Sequence, residues 1–249
     1  MSSAIERAFS VLECFGQQRK PLRLADVVND LDLPKQTVHR ILKQLEELSL
    51  LERDINPEKF HLGPRMRQLG ISTIVSLNQS ISTRALLKRL GNKINETVNI
   101  GILDQSEIIY IDRVECDWPL RVQLSPGSRV KPHCTAIGKL LLAYLPEEIQ
   151  EITLKNMHLE SYTDKTITDI NHLLSELKKI KSQGYAENVG EDIIGLVALA
   201  VPIFDNNNNV VAGLAVHAPE ARMDLKIMRS NMNDLVETAN QLRNSLLLN

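Results

Sequence analysis

The sequence predicts an α+β protein, and three observations carry that prediction. A run of amphipathic helices opens the chain and closes on a short hairpin. Strands in neighbouring antiparallel pairs then alternate with helices over the second half. A stretch of helical spacing joins the two. With 249 residues the chain is long enough for two domains with separate cores. The expected division is 1–65 for an N-terminal winged helix-turn-helix, 66–80 for a linker helix and 81–249 for the second domain.

Ile5, Ala8, Phe9, Val11, Leu12 and Phe15 recur at helical spacing, so Ala4 to Phe15 reads as a first helix. Gly16 and Pro21 bracket a turn. Residues 24–31 give a second helix with Leu24, Val27, Val28 and Leu31 on one face. Pro34 suits the first position of a third helix, where a missing N–H has no intrahelical partner to lose. That helix is expected to reach about Leu48 and to bury Val38, Ile41, Leu42, Leu45 and Leu48. Leu50 to Arg53 and Phe60 to Leu62, around Asn56-Pro57, predict the two strands of a wing. Pro64 to Ser82 predicts a helix with a loose stripe of Met66, Leu69, Ile74, Leu77 and Ile81.

In the second half, Val98–Leu103 and Ile108–Ile111 read as strands around a polar turn, and Leu120 to Leu124 as another. Thr135 to Tyr144 is an apolar helix. Residues 169–183 form an amphipathic helix that stops at Gly184, a residue suited to a helix C-cap. Val197–Phe204 and Val210–Val216 flank Asp205 and four asparagines as a hairpin, and a last helix runs from Asp224 to Leu247.

Composition excludes several classes. Hydrophobic residues at 43% and charged residues at 24% are those of a globular protein. No secretory leader is expected, because Glu6 and Arg7 appear at once and no apolar run follows. No run nears the roughly 20 apolar residues of a membrane helix, so no membrane partner is expected. Cys14, Cys116 and Cys134 are odd in number and widely spaced, which argues for a reducing cytoplasm. Net charge is -2; residues 1–70 hold 11 Lys+Arg against 10 Asp+Glu, and the remainder 18 against 21. Total charge therefore does not point to nucleic acid. The placement of the basic residues does.

On the third helix the apolar stripe leaves Lys35, Gln36, His39, Arg40 and Lys43 facing outward. Arg, Lys and Gln suit base edges, while Lys, Arg and Thr suit phosphates. Lys35, Gln36, His39 and Arg40 are therefore expected nearest the bases. Thr37, Lys43 and the wing residues Arg53 or Lys59 are expected on phosphates. One winged helix makes too few contacts for genomic specificity, so a homodimer on a palindromic or pseudo-palindromic double-stranded operator is expected.

Enzymatic signatures are missing: there is no Gly-x-Ser-x-Gly elbow, phosphate loop or His-Glu-x-x-His. Cys134 beside His133 is a poor nucleophile–base pair, since adjacent residues rarely orient in that way. The spacings of Cys116, Cys134, His133 and His217 match no zinc pattern. The expectation is a protein that is not an enzyme and uses no metal or cofactor.

The chain resembles the IclR-type transcriptional regulators. The residues that carry the resemblance are Ile5-Glu6-Arg7-Ala8, Val11-Leu12 and Pro34-Lys35-Gln36-Thr37-Val38-His39-Arg40-Ile41-Leu42, then Phe60-His61-Leu62-Gly63. Further along come Lys131 to Lys139, Gly184-Tyr185-Ala186, Glu191, Gly195 to Phe204, and Gly213 to Pro219 with Arg222. The resemblance implies a C-terminal effector-binding domain with a GAF-like antiparallel sheet and flanking helices. Its pocket would lie between the loop and helix at 132–139 and the strands at 195–204 and 210–217. The implied liners are Ala136, Ile137, Glu191, Ala198, Ala215 and His217, with Pro132-His133 fixing the loop. It also implies dimers through the DNA-binding and linker region, tetramers through the sensor domains, and repression as the default.

Members of the family that sense small hydroxy- or keto-acids carry polar or thiol groups at the positions of Ala198 and Ala215. Alanines cannot hydrogen-bond a buried carboxylate. A more apolar or aromatic effector is expected here, with His217 as its polar contact. The alternatives are an activator that senses a small organic acid, or a ligand-binding interaction module without DNA binding.

Overall fold

The computed structural model describes residues 3–18, 20–78 and 81–243. The chain divides into two units, residues 1–73 and 74–249.

In the first unit, Ser3 starts helix α1 (Ala4–Gln18) by a reciprocal exchange: its hydroxyl accepts from the Glu6 N–H, and its own N–H donates to the Glu6 carboxylate. A short strand β1 (Leu22–Arg23) precedes α2 (Leu24–Leu31), and α3 (Lys35–Glu47) follows. The turn between α2 and α3 needs one residue in the left-handed region, and Asp32 supplies it at φ 48°. Pro34 sits at the N-cap of α3 with ψ 134°, one residue earlier than expected. Strands β2 (Leu51–Arg53) and β3 (Lys59–Leu62) form the wing, and β1 adds to its edge in the order β1-β3-β2. Two residues were too few to read β1 from sequence.

Val11, Cys14, Phe15, Val27, Val38, Ile41, Leu42, Leu45, Leu51 and Phe60 close one core. Burial of each large apolar side chain there is worth about 1.5–3 kcal/mol. Three residues expected inside lie outside. Leu48 is the C-cap of α3 and 49% exposed, because α3 ends before its side chain turns inward. Ile5 and Phe9, one turn apart on α1, are 81% and 59% exposed. Gly63 is required where the wing returns: a Cβ there would lie 2.5 Å from the Ser49 carbonyl oxygen.

Helix α4 (Pro64–Asn78) stops short of the expected Ser82, and α5 (Ile81–Ile94) begins a second helix that the sequence reading missed. Residues 79–80, and the side chains of Leu77 and Ile81 in the expected stripe, lie outside the described residues. Leu87, Leu90 and Ile94 are the buried side of α5.

The second unit is built on an antiparallel six-stranded sheet of order β6-β5-β4-β9-β8-β7. Its strands are β4 (Thr97–Asp104), β5 (Glu107–Val114), β6 (Arg129–Val130), β7 (Ala186–Val189), β8 (Leu196–Phe204) and β9 (Val210–Pro219). Alternation along β4 sorts the helices onto two faces. Val98 meets Gly91 of α5, whereas Gly101 meets Ile137 of α6 (Ala136–Tyr144). Helices α6 and α8 (Ile170–Gln183) therefore cover one face, with the unforeseen α7 (Glu147–Lys155) between them in sequence. The other face is covered by α5 and by the C-terminal helices α9 (Leu225–Ser230) and α10 (Met232–Leu242).

Two expectations fail here. Leu120 to Leu124 is not a strand. Its carbonyls at Leu120 and Val122 accept hydrogen bonds from the Arg222 and Arg113 side chains, so no ladder forms. Arg129–Val130 pairs with β5 instead. The final helix is broken at Asn231, where the Ser230 hydroxyl and the Asn231 amide both donate to the Ile227 carbonyl. Such side-chain bonds compete with the helical ladder. Residues 244–247 of the expected helix lie outside the described residues.

Candidate functional site

Helix α3 is held by its inner side: Val38, Ile41, Leu42 and Leu45 are buried. Their spacing turns Lys35, Gln36, His39, Arg40 and Lys43 to solvent, while Thr37 is half-buried. Lys43 makes a loose exposed pair with Glu47 at 4.0 Å. The remaining exposed side chains of this face have no hydrogen bond or ion pair among the described residues. The result is a rigid helix that presents uncommitted cations and an amide.

The wing behaves differently. Arg53 bonds Glu46 at 2.8 Å and the Pro57 carbonyl, and its guanidinium lies 4.5 Å over the Phe60 ring. Its charge is committed to joining the wing to α3. Lys59 is half-buried in β3, and Ile55 stands fully exposed at the wing tip.

In the second unit, the structure gathers four of the expected effector residues. Ala136 and Ile137 of α6 pack in one cluster with Ala198 of β8 and Ala215 of β9. His217 is the cross-strand partner of Ala198 and shares that face. Glu191 forms a buried pair at 2.5 Å with Lys139, in the first half of α6. Burial pushes the Glu191 carboxyl up, and Lys139 pulls it back. His133, which fixes the loop, bonds the Glu160 carbonyl through Nε2 at 2.9 Å, and burial lowers its pKa.

The sequence reading missed the polar residues on the neighbouring strands. Arg113 of β5 is buried and donates from Nη2 to Nε2 of His217 at 3.2 Å. Burial and the Arg113 charge push His217 down to about 3, so it is neutral and accepts that bond. Asn99 of β4 lies across from Arg113. Asn188 of β7 ties the site together by donating to the Cys134 carbonyl and to Asp192, both at 2.8 Å. An isolated Asn or Arg in a strand carries no sequence signal for such a row. Its register becomes visible only once the strands pair.

A cavity of about 270 Å³ opens beside the loop, lined by Arg129, Val130, Lys131, Cys134, Thr135, Tyr162 and Asp192. None of the expected effector residues lines it, although three of its liners are their chain neighbours. Burial together with Asp192 and Glu191 pushes the Cys134 thiol up to about 12, which removes it as a nucleophile at neutral pH. Among the described residues, no group of three or more His, Cys, Asp or Glu is arranged to hold a metal ion.

A winged helix with an uncommitted basic face, followed by a sheet domain with a buried mixed site, defines a DNA-binding regulator with a sensor domain. Comparison with known proteins agrees. Residues 71–244 match the family described as bacterial transcriptional regulator IclR C-terminal, and residues 4–54 match the IclR helix-turn-helix domain. The chain belongs to the IclR family of transcriptional regulators, which are not enzymes. It is 38% identical to the probable transcriptional regulator SauR of Cupriavidus necator, over 97% of this chain and 96% of that protein. A putative regulator from Rhodococcus sp. RHA1 superposes with a TM-score of 0.67 at 28% identity, over 99% of this chain and 98% of that one. A double mutant of the PobR inducer-binding domain from Acinetobacter, in complex with 3-hydroxybenzoic acid, matches with a TM-score of 0.59 at 28% identity, over 65% of this chain and 95% of that one.

Proposed function

We propose that the chain is a cytoplasmic repressor that binds a palindromic or pseudo-palindromic operator as a homodimer and is controlled by a small-molecule effector. The observation that carries this reading is the outward face of α3. Lys35, Gln36, His39 and Arg40 have no partner among the described residues, yet sit on a helix fixed by its opposite side. Lys35, Gln36, His39 and Arg40 read base edges in the major groove; Thr37, Lys43 and Lys59 take phosphates. Arg53 serves mainly by aiming the wing. Ile5 and Phe9 of α1, with Leu69 of α4, offer exposed apolar surface for the dimer contact.

The effector has an apolar or aromatic body that lies against Ala136, Ile137, Ala198 and Ala215. The apolar character of these residues and the liganded PobR domain support an aromatic class. Functionally, we assign 1–65 to DNA binding, 66–80 to the link and 81–249 to sensing. Helix α4 runs across the boundary between the two structural units, so it is the element through which effector binding would change operator affinity.

Footprinting of the full chain on the DNA upstream of its own gene tests this reading. A protected, symmetric site that weakens or shifts with an aromatic ligand is expected. Uniform, sequence-independent protection would contradict operator reading.

A further inference from the structure

The sheet of the second unit carries buried polar groups that the chain does not satisfy. Asn99 is 1% exposed and, apart from a contact with the Tyr110 hydroxyl, its amide makes no hydrogen bond; Nη1 of Arg113, 3% exposed, has no partner. The two residues are direct cross-strand partners, and Asn99 faces Ala215 on its other side. Ala215 in turn faces Ala200. The next row on the same face places His217 between Thr97 and Ala198. A compact polar corner thus adjoins a wall of alanines.

The rest of Arg113 is occupied. Its Nε lies 3.4 Å from Glu115, and its Nη2 serves the Val122 carbonyl and His217. Glu115 is shared with Arg121 at 2.9 Å, so one carboxylate serves two guanidinium groups and the corner keeps a positive charge. His217 adds none, being neutral. Buried groups of this kind are costly when left unpaired, and each one calls for an explanation. A free guanidinium N–H beside an amide N–H₂, which keeps a second donor beyond its contact with Tyr110, is complementary to the two acceptor oxygens of a carboxylate.

We propose that Arg113 and Asn99 form the head-group subsite of the effector site, taking the carboxylate of an organic acid whose apolar body lies over Ala198, Ala200 and Ala215. This rests on reading that face of the sheet as the effector site. It extends the site to β4 and β5, which the loop, helix and strands named above do not include. Tyr110, whose ring stands 6.0 Å from the Arg113 guanidinium, packs in the same cluster as Ala198, Ala200 and Ala215 and so joins the corner to the alanine wall.

Matched probes on the full-length protein test the proposal: benzoate against benzamide and hexanoate against hexanamide, followed by thermal shift and calorimetry. The acids are expected to raise the melting temperature and the amides not. Asn99→Leu replaces a largely unpaired amide by an apolar group of similar shape. It should raise the melting temperature of the unliganded protein by about 2–4 °C and weaken binding of the better acid at least tenfold. A merely structural asparagine would give the opposite stability result. Arg113→Lys keeps the charge but loses the fork, and should weaken the acid at least tenfold while its circular dichroism stays that of the parent. Amides that bind as well as the acids, or variants that bind the acids unchanged, would overturn the head-group subsite and leave the effector site standing. If neither kind of probe binds, the effector-site reading itself fails with it.

Discussion

The outward face of α3 and the inner face of the second sheet are both polar clusters, but they solve opposite problems. On α3 the cations stand in water, where an unpaired charge costs little, and the helix beneath is fixed by four buried aliphatic residues. On the sheet, Arg113, Asn99 and His217 are buried, where each unpaired atom is expensive. The first cluster stays available for a polyanion without straining its own fold. The second lowers stability for as long as its open atoms stay unmet. Solvent exposure thus separates a surface that can meet DNA without cost to its fold from the corner proposed above to take a smaller partner.

The largest effect should separate the two regions by destroying one of them. A Cβ at Gly138 would lie 2.2 Å from Pro132 Cα and from its carbonyl oxygen, where α6 crosses the loop. Gly138→Ala should cost several kcal/mol and remove the thermal transition of the second unit. Limited proteolysis should still leave a folded N-terminal fragment. Coincident loss of both units would show that they are not independent.

Next in size is the buried pair beneath the site. Lys139→Met leaves the Glu191 carboxylate without its cation, at a cost of about 3–5 kcal/mol in denaturant unfolding. Combining it with Glu191→Leu should recover much of that loss. No recovery would mean that the pair is not the source of the destabilisation.

The third effect is acid sensitivity. The folded pKa of His217 lies near 3, below the ordinary 6.5 of the unfolded chain. Its contribution to stability is therefore complete above about pH 6.5 and is lost as pH falls towards 3. The loss should approach 1.4 kcal/mol per pH unit within that window. Glu191 and Asp192, whose pKa values burial raises, act in the opposite sense at low pH. The difference between parent and His217→Asn isolates the histidine, and unfolding curves from pH 7 to pH 5 should converge for the two. Parallel curves would contradict a neutral, buried His217.

Much of this architecture is legible in the chain because it rests on local pattern. The helix-turn-helix follows from Val38, Ile41, Leu42 and Leu45 at helical spacing, and the β8–β9 hairpin from two apolar runs around four asparagines. The failures have physical causes of another kind. Leu120 to Leu124 looks like a strand, but arginines distant in sequence take its carbonyls. The last helix breaks where Ser230 and Asn231 turn their side chains onto a backbone carbonyl. The α3 face could be named residue by residue because a single helix places it. The Arg113–Asn99–His217 corner needs three strands in register, and no stretch of sequence shows that.

Operator reading by α3 is tested most directly by Arg40→Ala. Fluorescence anisotropy on the protected upstream DNA, for parent and variant between about 50 and 200 mM salt, measures both affinity and its salt slope. The parent should lose affinity steeply as salt rises. The variant should bind about 10- to 100-fold more weakly, as for the loss of one base contact, with effector binding unchanged by calorimetry. An affinity that ignores salt, or a variant that binds the operator as the parent does, would contradict the account.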